Sequence, residues 1–161
     1  MNKELPIRKK NRWEYHDYSS GGIYFLTVCT AGRQCIFWDI EKTLETLNTA
    51  SDIIPSMIHL SPYGTIAEKA INNIPDIYPY ISIAEYVVMP DHIHIMLSME
   101  GDSIPKTTIS QVINQMKDSI SKETGASIWQ KSFFDHVIRN RKDFDKHMQY
   151  IIENPIRWIQ R

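Results

Sequence analysis

No run of about 18 apolar residues, the length at which a segment reads as a membrane-spanning helix, occurs anywhere in this 161-residue chain. The opening MNKELPIRKKNRWEYH has no apolar centre of the kind a secretory signal carries. Cytoplasmic residence with no membrane partner is the resulting expectation. Cysteine is scarce: only Cys29 and Cys35 occur, without a CxxC or a Cys/His zinc pattern. A disulfide framework and a thiolate zinc module are thereby excluded. The two cysteines flank a turn at Ala31-Gly32-Arg33, facing each other across an expected hairpin, and are read as reduced small hydrophobes. There is no internal repeat, no low-complexity tract and no obvious linker, so residues 1–161 are expected to form one domain. An excess of either charge is also missing, since the net charge is -1.

The distribution of charge says more than its sum. Lys3, Arg8, Lys9, Lys10 and Arg12 cluster near the start, and Arg139, Arg141, Lys142, Lys146, Arg157 and Arg161 gather near the end. Between them the chain from Asp39 to Glu85 is mostly acidic. Such asymmetry suits a basic face for phosphates, although charge runs are more often plain solvated surface.

The most informative stretch is Tyr86–Met99, YVVMPDHIHIMLSM. Alternate side chains of a strand project from one face, so His92 and His94 present both imidazoles on the same side. That geometry suits a metal. On spacing alone the pair is equally well read as core histidines, because Val87, Val88, Ile93, Ile95 and Leu97 around them mark a buried strand. Met89-Pro90-Asp91 interrupts the run, since proline cannot donate to the ladder.

Along the rest of the chain, Ile23–Thr30 reads as a first strand and Gln34–Trp38 as its antiparallel return. A short helix follows Asp39, and Met57–Leu60 reads as a short edge strand. Ser61-Pro62 opens a helix to about Asn73, ended by Pro75. Ile81–Val88 and His92–Met99 read as paired strands. Ser103-Ile104-Pro105 opens the longest helix, with Ile109, Val112, Ile113, Met116 and Ile120 at helical spacing and Gly125 as its cap. Trp129–Ile138 reads as extended or turn-like, and Phe133 and Phe134 as core. Asp143 caps a last helix that Pro155 stops after Asn154. The sum is an α+β domain with helices packed on an antiparallel sheet. On the last helix His147, Tyr150 and Asn154 stand at i, i+3 and i+7, which puts them on one face.

PDHIHIML followed by WQKSFFDHVIRN and the tyrosine of YIIENP resembles the single-tyrosine HUH transposases, in their REP-associated branch. The resemblance runs from IYFLTVCT to ENP. It implies a ferredoxin-like sheet carrying the HxH on a central strand, with the tyrosine helix packed across it. It also implies that His92 and His94 bind a divalent metal, Mg²⁺ or Mn²⁺, and that Tyr150 is the nucleophile. The polar residue one turn after the tyrosine completes the metal site; it is Gln in many relatives and Asn154 here. The implied activity is metal-dependent cutting and joining of single-stranded DNA beside a hairpin, through a 5′-phosphotyrosine intermediate. Single-stranded or hairpin DNA is the expected partner, and the chain is a monomer or a homodimer.

Physical chemistry supports that assignment. A metal neutralises charge that builds on a phosphodiester under attack, and mixed N/O ligation suits Mn²⁺, or Mg²⁺ with retained waters. A tyrosine hydroxyl has a pKa of about 10 and needs a proton acceptor or a stabilised anion. His147, one turn before Tyr150, is the candidate acceptor. Arg8, Lys9, Lys10, Arg12, Lys117, Arg139 and Arg141 are candidate DNA-backbone contacts, and Trp13, Tyr15 and Trp129 candidate stacking partners. His136 is expected to support the tyrosine helix; His16 and His59 have no assigned role. A histidine-triad hydrolase is excluded because Met96 stands where a third histidine would be, and no second HxT/S element supports a two-histidine phosphoesterase. The serious alternative is a hairpin DNA-binding protein without catalysis.

Overall fold

The structure, a computed structural model, describes residues 21–52, 55–100 and 107–161. Arg8, Lys9, Lys10, Arg12, Trp13, Tyr15 and His16 lie outside them, as do 103–105, where the longest helix was expected to open; that helix instead begins at Ile109, after an extended Thr108 that caps it. Strands β1 (Gly22–Cys29), β2 (Ile81–Val88), β3 (His92–Met99) and β4 (Phe134–Ile138) form one antiparallel sheet in the order β2-β3-β1-β4. This is the ferredoxin-like order, with the HxH strand inside it. Helices α1 (Ile40–Asn48), α2 (Pro62–Asn72), α3 (Ile74–Ile77), α4 (Ile109–Thr124) and α5 (Arg141–Ile159) complete the chain. Among the described residues no helix is long and apolar enough to cross a membrane.

Strand alternation divides the side chains between two layers. Tyr24, Leu26 and Val28 of β1 and Ile93, Ile95, Leu97 and Met99 of β3 enter the main core, where Ala67 and Ile71 of α2 and Val112, Ile113, Met116 and Ile120 of α4 meet them. The other face carries Phe25 and Met96, covered by Ile151, Met148 and Phe144 of α5. The helix starts follow local chemistry: Ser61 accepts from Gly64 N–H ahead of α2, and Thr108 and Gln111 form a capping box at α4. Gly125 closes α4 in the left-handed region, φ 71.

Several expectations are corrected. Gln34–Trp38 forms no strand. After a 3-10 turn at Ala31–Arg33, the N–H groups of Ile36 and Phe37 donate to the Pro90 carbonyl. The segment thus wraps the β2–β3 turn instead of pairing with β1, whose two edges are taken by β3 and β4. Cys29 and Cys35 consequently do not face across a hairpin; both are free, one buried and one exposed. Met57–Leu60 yields only an isolated bridge from Leu60 to Trp38. Pro75 does not leave the chain irregular but sits in the first turn of α3.

The largest correction concerns α5. Its N-cap is Asn140, and Pro155 lies inside the helix, making α5 (19 residues) longer than α4 (16 residues). Pro155 forfeits one backbone bond, yet Trp158 beyond it packs edge-on against Trp38 at 5.3 Å and anchors the last turn to the main core.

Candidate functional site on β3 and α5

His92 and His94 leave β3 on the face that α5 covers, and their Nε2 atoms lie 3.0 Å apart. Each ring is held from behind. Asp91 Oδ1 is 2.6 Å from His92 Nδ1, and Thr27 Oγ1, opposite His94 in the β1–β3 register, is 2.9 Å from His94 Nδ1. A carboxylate can only accept, so His92 donates from Nδ1 and keeps its Nε2 lone pair free. With the same tautomer at His94, two lone pairs converge, an arrangement a cation between them relieves. Two cis ligands about 2.1 Å from an octahedral ion stand about 3.0 Å apart, so the spacing fits such an ion.

Burial pushes His94 down to about 3, with the neighbouring His92 adding to the shift. Burial also lowers His92, against the opposing pull of Asp91. Both rings are therefore neutral at physiological pH and offer nitrogen lone pairs.

From α5, the Tyr150 ring stands 5.3 Å from that of His94 and 6.0 Å from that of Phe25. Tyr150 is 42% exposed although it is a large aromatic. Asn154, one turn on, is buried. His92, His94, Tyr150 and Asn154 share the lining of a cavity of about 270 Å³ with Arg33 and Arg161. Phe134, expected in the core, is half exposed and lines the same cavity, whereas Phe133 is buried. A larger groove of about 690 Å³ meets this cavity at His94 and Tyr150 and is bordered by Lys146, His147 and Arg157.

His147 faces that groove, away from His92. Its Nδ1 is 2.9 Å from the Asp143 carbonyl oxygen and 3.1 Å from Asp143 Oδ1, and its ring packs between Phe25 at 4.7 Å and His136 at 4.6 Å. His136 Nε2 in turn lies 2.8 Å from Asp143 Oδ2. His136, Asp143 and His147 have the residue types of a cation site, with donor atoms within 4.8 Å. Here, however, Asp143 Oδ2 already receives the His136 Nε2–H and the Arg139 backbone N–H, and the single hydrogen on His147 Nδ1 is given to the Asp143 carbonyl. The trio ties β4 to the first turn of α5.

Other expected contacts fall differently. Lys117 is buried on α4 and donates to the Gln130 carbonyl at 2.7 Å, so it is removed from any DNA surface. Trp129 is packed against Phe37 with its Nε1–H on the Lys117 carbonyl, as core and not as a stacking platform. Arg139 and Arg141 are exposed near the start of α5, Arg141 paired with Asp145. His59 bonds Thr46 Oγ1. Thr27, Asp91 and Arg33 were given no site role from the sequence, and Arg161 was noted only within the basic cluster near the end of the chain. Asp91 carried a signal, being adjacent to His92; Thr27 reaches His94 only through strand register, and Arg33 only through the path of a turn.

Comparison with known proteins bears on this geometry. Residues 65–154 match the family model described as Transposase IS200 like. An uncharacterised Haemophilus influenzae protein is 25% identical over 182 residues, covering 99% of this chain and 94% of its own length. A REP-associated tyrosine transposase of Escherichia coli is 34% identical over 82 residues, 48% of this chain and 47% of that protein. A solved structure of a REP-associated tyrosine transposase bound to a REP hairpin is similar with a TM-score of 0.62 at 25% identity, covering 91% of this chain and 74% of that one.

Proposed function

Given that the chain belongs to the IS200-like transposase family, in its REP-associated tyrosine branch, we propose that it cuts and rejoins single-stranded DNA beside a hairpin through a covalent Tyr150 adduct. The observation that carries this reading is the shared cavity: an exposed phenol and two converging neutral imidazoles line one space in a single chain. That arrangement supports assembly of the site in cis.

His92 and His94, with the Asn154 amide oxygen, would hold a divalent metal, Mg²⁺ or Mn²⁺. When bound, the ion supplies Lewis-acid neutralisation of a non-bridging phosphate oxygen. Asp91 and Thr27 fix the two imidazoles so that their Nε2 atoms stay aimed into the cavity. Tyr150 Oη forms the bond to phosphorus while the P–O3′ bond breaks, leaving a 5′-phosphotyrosine; the phenolic proton departs and the leaving 3′ oxygen gains one. His147 is positioned in the adjoining groove to receive that proton or to meet a flanking phosphate, its Nδ1 tied back to Asp143 and its Nε2 left for the groove. Because the phosphotyrosine conserves the energy of the broken bond, a free 3′-OH from a second end can reverse the step and complete transfer.

An unpaired strand beside a folded hairpin suits this geometry better than regular duplex, because phenol and cation must both reach one phosphate. The hairpin-bound relative supports the same substrate class. Incubation of labelled single-stranded hairpin DNA with Mn²⁺ or Mg²⁺, followed by denaturing electrophoresis, is expected to give a protein–DNA adduct with the wild type and none with Tyr150→Phe. Hairpin binding with no adduct would favour the non-catalytic alternative.

A further inference from the structure

Arg33 enters the same cavity from outside both site elements, and its surroundings are unusual for a surface arginine. It follows Gly32 in the turn after β1 and is the non-glycine residue with positive φ, 55, among the described residues. A side chain in the left-handed region is strained, and here the strain accompanies a fixed guanidinium. Nε donates to Asp91 Oδ2 at 2.9 Å and Nη1 to Cys29 Sγ at 2.8 Å. Nη2 approaches His92 Nδ1 only to 3.5 Å, and that nitrogen is committed as a donor to Asp91 at 2.6 Å. It therefore cannot accept from Arg33. Among the described residues Nη2 is thus left without a good acceptor, on a side chain that lines the cavity and stays half exposed.

We infer that Arg33 is a further catalytic residue, whose Nη2 edge binds a non-bridging oxygen of the phosphate attacked by Tyr150. The inference rests on the strand-cutting reading above and adds to it a specific anion contact. Two features of the chemistry favour it. The proposed metal ligands are two neutral imidazoles and an amide, so no ligand carries charge to oppose the phosphate, and the two carboxylates that adjoin the site are each paired, Asp91 with Arg33 itself and Glu153 of the groove with Arg157. A planar guanidinium held on two sides is also preorganised for an oxyanion, as phosphoryl transfer requires. One residue then does two things: it braces Asp91 behind His92, and it presents donors where negative charge grows.

The test compares wild type with Arg33→Ala and Arg33→Lys under single-turnover conditions on hairpin DNA with its single-stranded flank. Arg33→Ala is expected to slow adduct formation about 100-fold, with partial recovery on adding free guanidinium, while Mn²⁺ affinity measured by electron paramagnetic resonance stays close to wild type. Arg33→Lys is expected to recover little, because an ammonium cannot keep the Asp91 and Cys29 contacts and still offer the second edge. Arg33→Ala cleaving at the wild-type rate would overturn the inference. So would loss of Mn²⁺ affinity in step with rate, since Arg33 would then act only through His92. Should the wild type form no adduct, the strand-cutting reading itself fails, and affinity decides the anion contact. Arg33→Ala is expected to bind flanked hairpin several-fold more weakly and flankless hairpin equally; equal binding of both would overturn it.

Discussion

Tyr150 is exposed, sits on a helix that Ile151 and Phe144 hold independently, and touches Phe25 and His94 only at ring distance. Tyr150→Phe removes one oxygen and no packing, so thermal denaturation is expected to stay within about 0.5 kcal/mol of wild type while adduct formation disappears. His94→Ala is different in kind. It leaves His92 alone on the cavity wall, and isothermal titration with Mn²⁺ is expected to show binding lost, with most of the hairpin affinity kept because phosphate contacts elsewhere supply it. Asn154→Ala removes a weaker ligand, and a loss of activity equal to or milder than that of the histidine variants is expected in the same cleavage assay; wild-type activity would remove Asn154 from the ligand set. At this scale strand and helix periods put His92 beside His94 and Tyr150 on one face with Asn154, but only the family resemblance joined the two pairs into one proposed site. The sequence was silent on Arg33, whose placement depends on how the turn folds over the Pro90 carbonyl, and misleading on Lys117, whose charge hid a buried bond to Gln130.

At the scale of elements, the site depends on two helices being seated correctly. Gly64 in the first turn of α2 lies so close to the Phe37 backbone that an added Cβ would collide with the Phe37 carbonyl oxygen. Gly64→Ala must therefore push α2 off the segment that wraps the β2–β3 turn. A loss of more than about 2 kcal/mol in urea denaturation is expected, well above the cost of an ordinary surface change. Helices α2 and α4 were legible from their caps and apolar spacing. The course of α5 was not: Asn154-Pro155 reads locally as a stop, and only the distant contact between Trp158 and Trp38 shows why the helix continues. The absent second strand has a related cause, since Ile36 and Phe37 find their acceptor at Pro90, more than fifty residues away.

For the whole molecule, the sheet separates two tasks. One face is buried against α2 and α4 and carries most of the apolar core; the other meets α5 over a small cluster and leaves room for the cavity and groove. An antiparallel sheet with packed helices and the HxH on an inner strand was expected from the α+β pattern and the resemblance, and the strand order β2-β3-β1-β4 agrees with it; which helices take which face was not legible. Net charge near zero hides a local excess of cations, with Lys146 and Arg157 against Glu153 beside the groove and Arg33 and Arg161 at the cavity. Hairpin affinity is accordingly expected to fall more than about tenfold between roughly 50 and 200 mM salt, a dependence that filter binding reads directly. The most direct test of the account is mass spectrometry of the proteolysed adduct formed on single-stranded hairpin DNA. A nucleotide joined through its 5′ phosphate to the peptide containing Tyr150, with a free 3′-OH on the released strand, is the expected result. Attachment at any other residue, or cleavage that leaves no protein-linked phosphate, would contradict it.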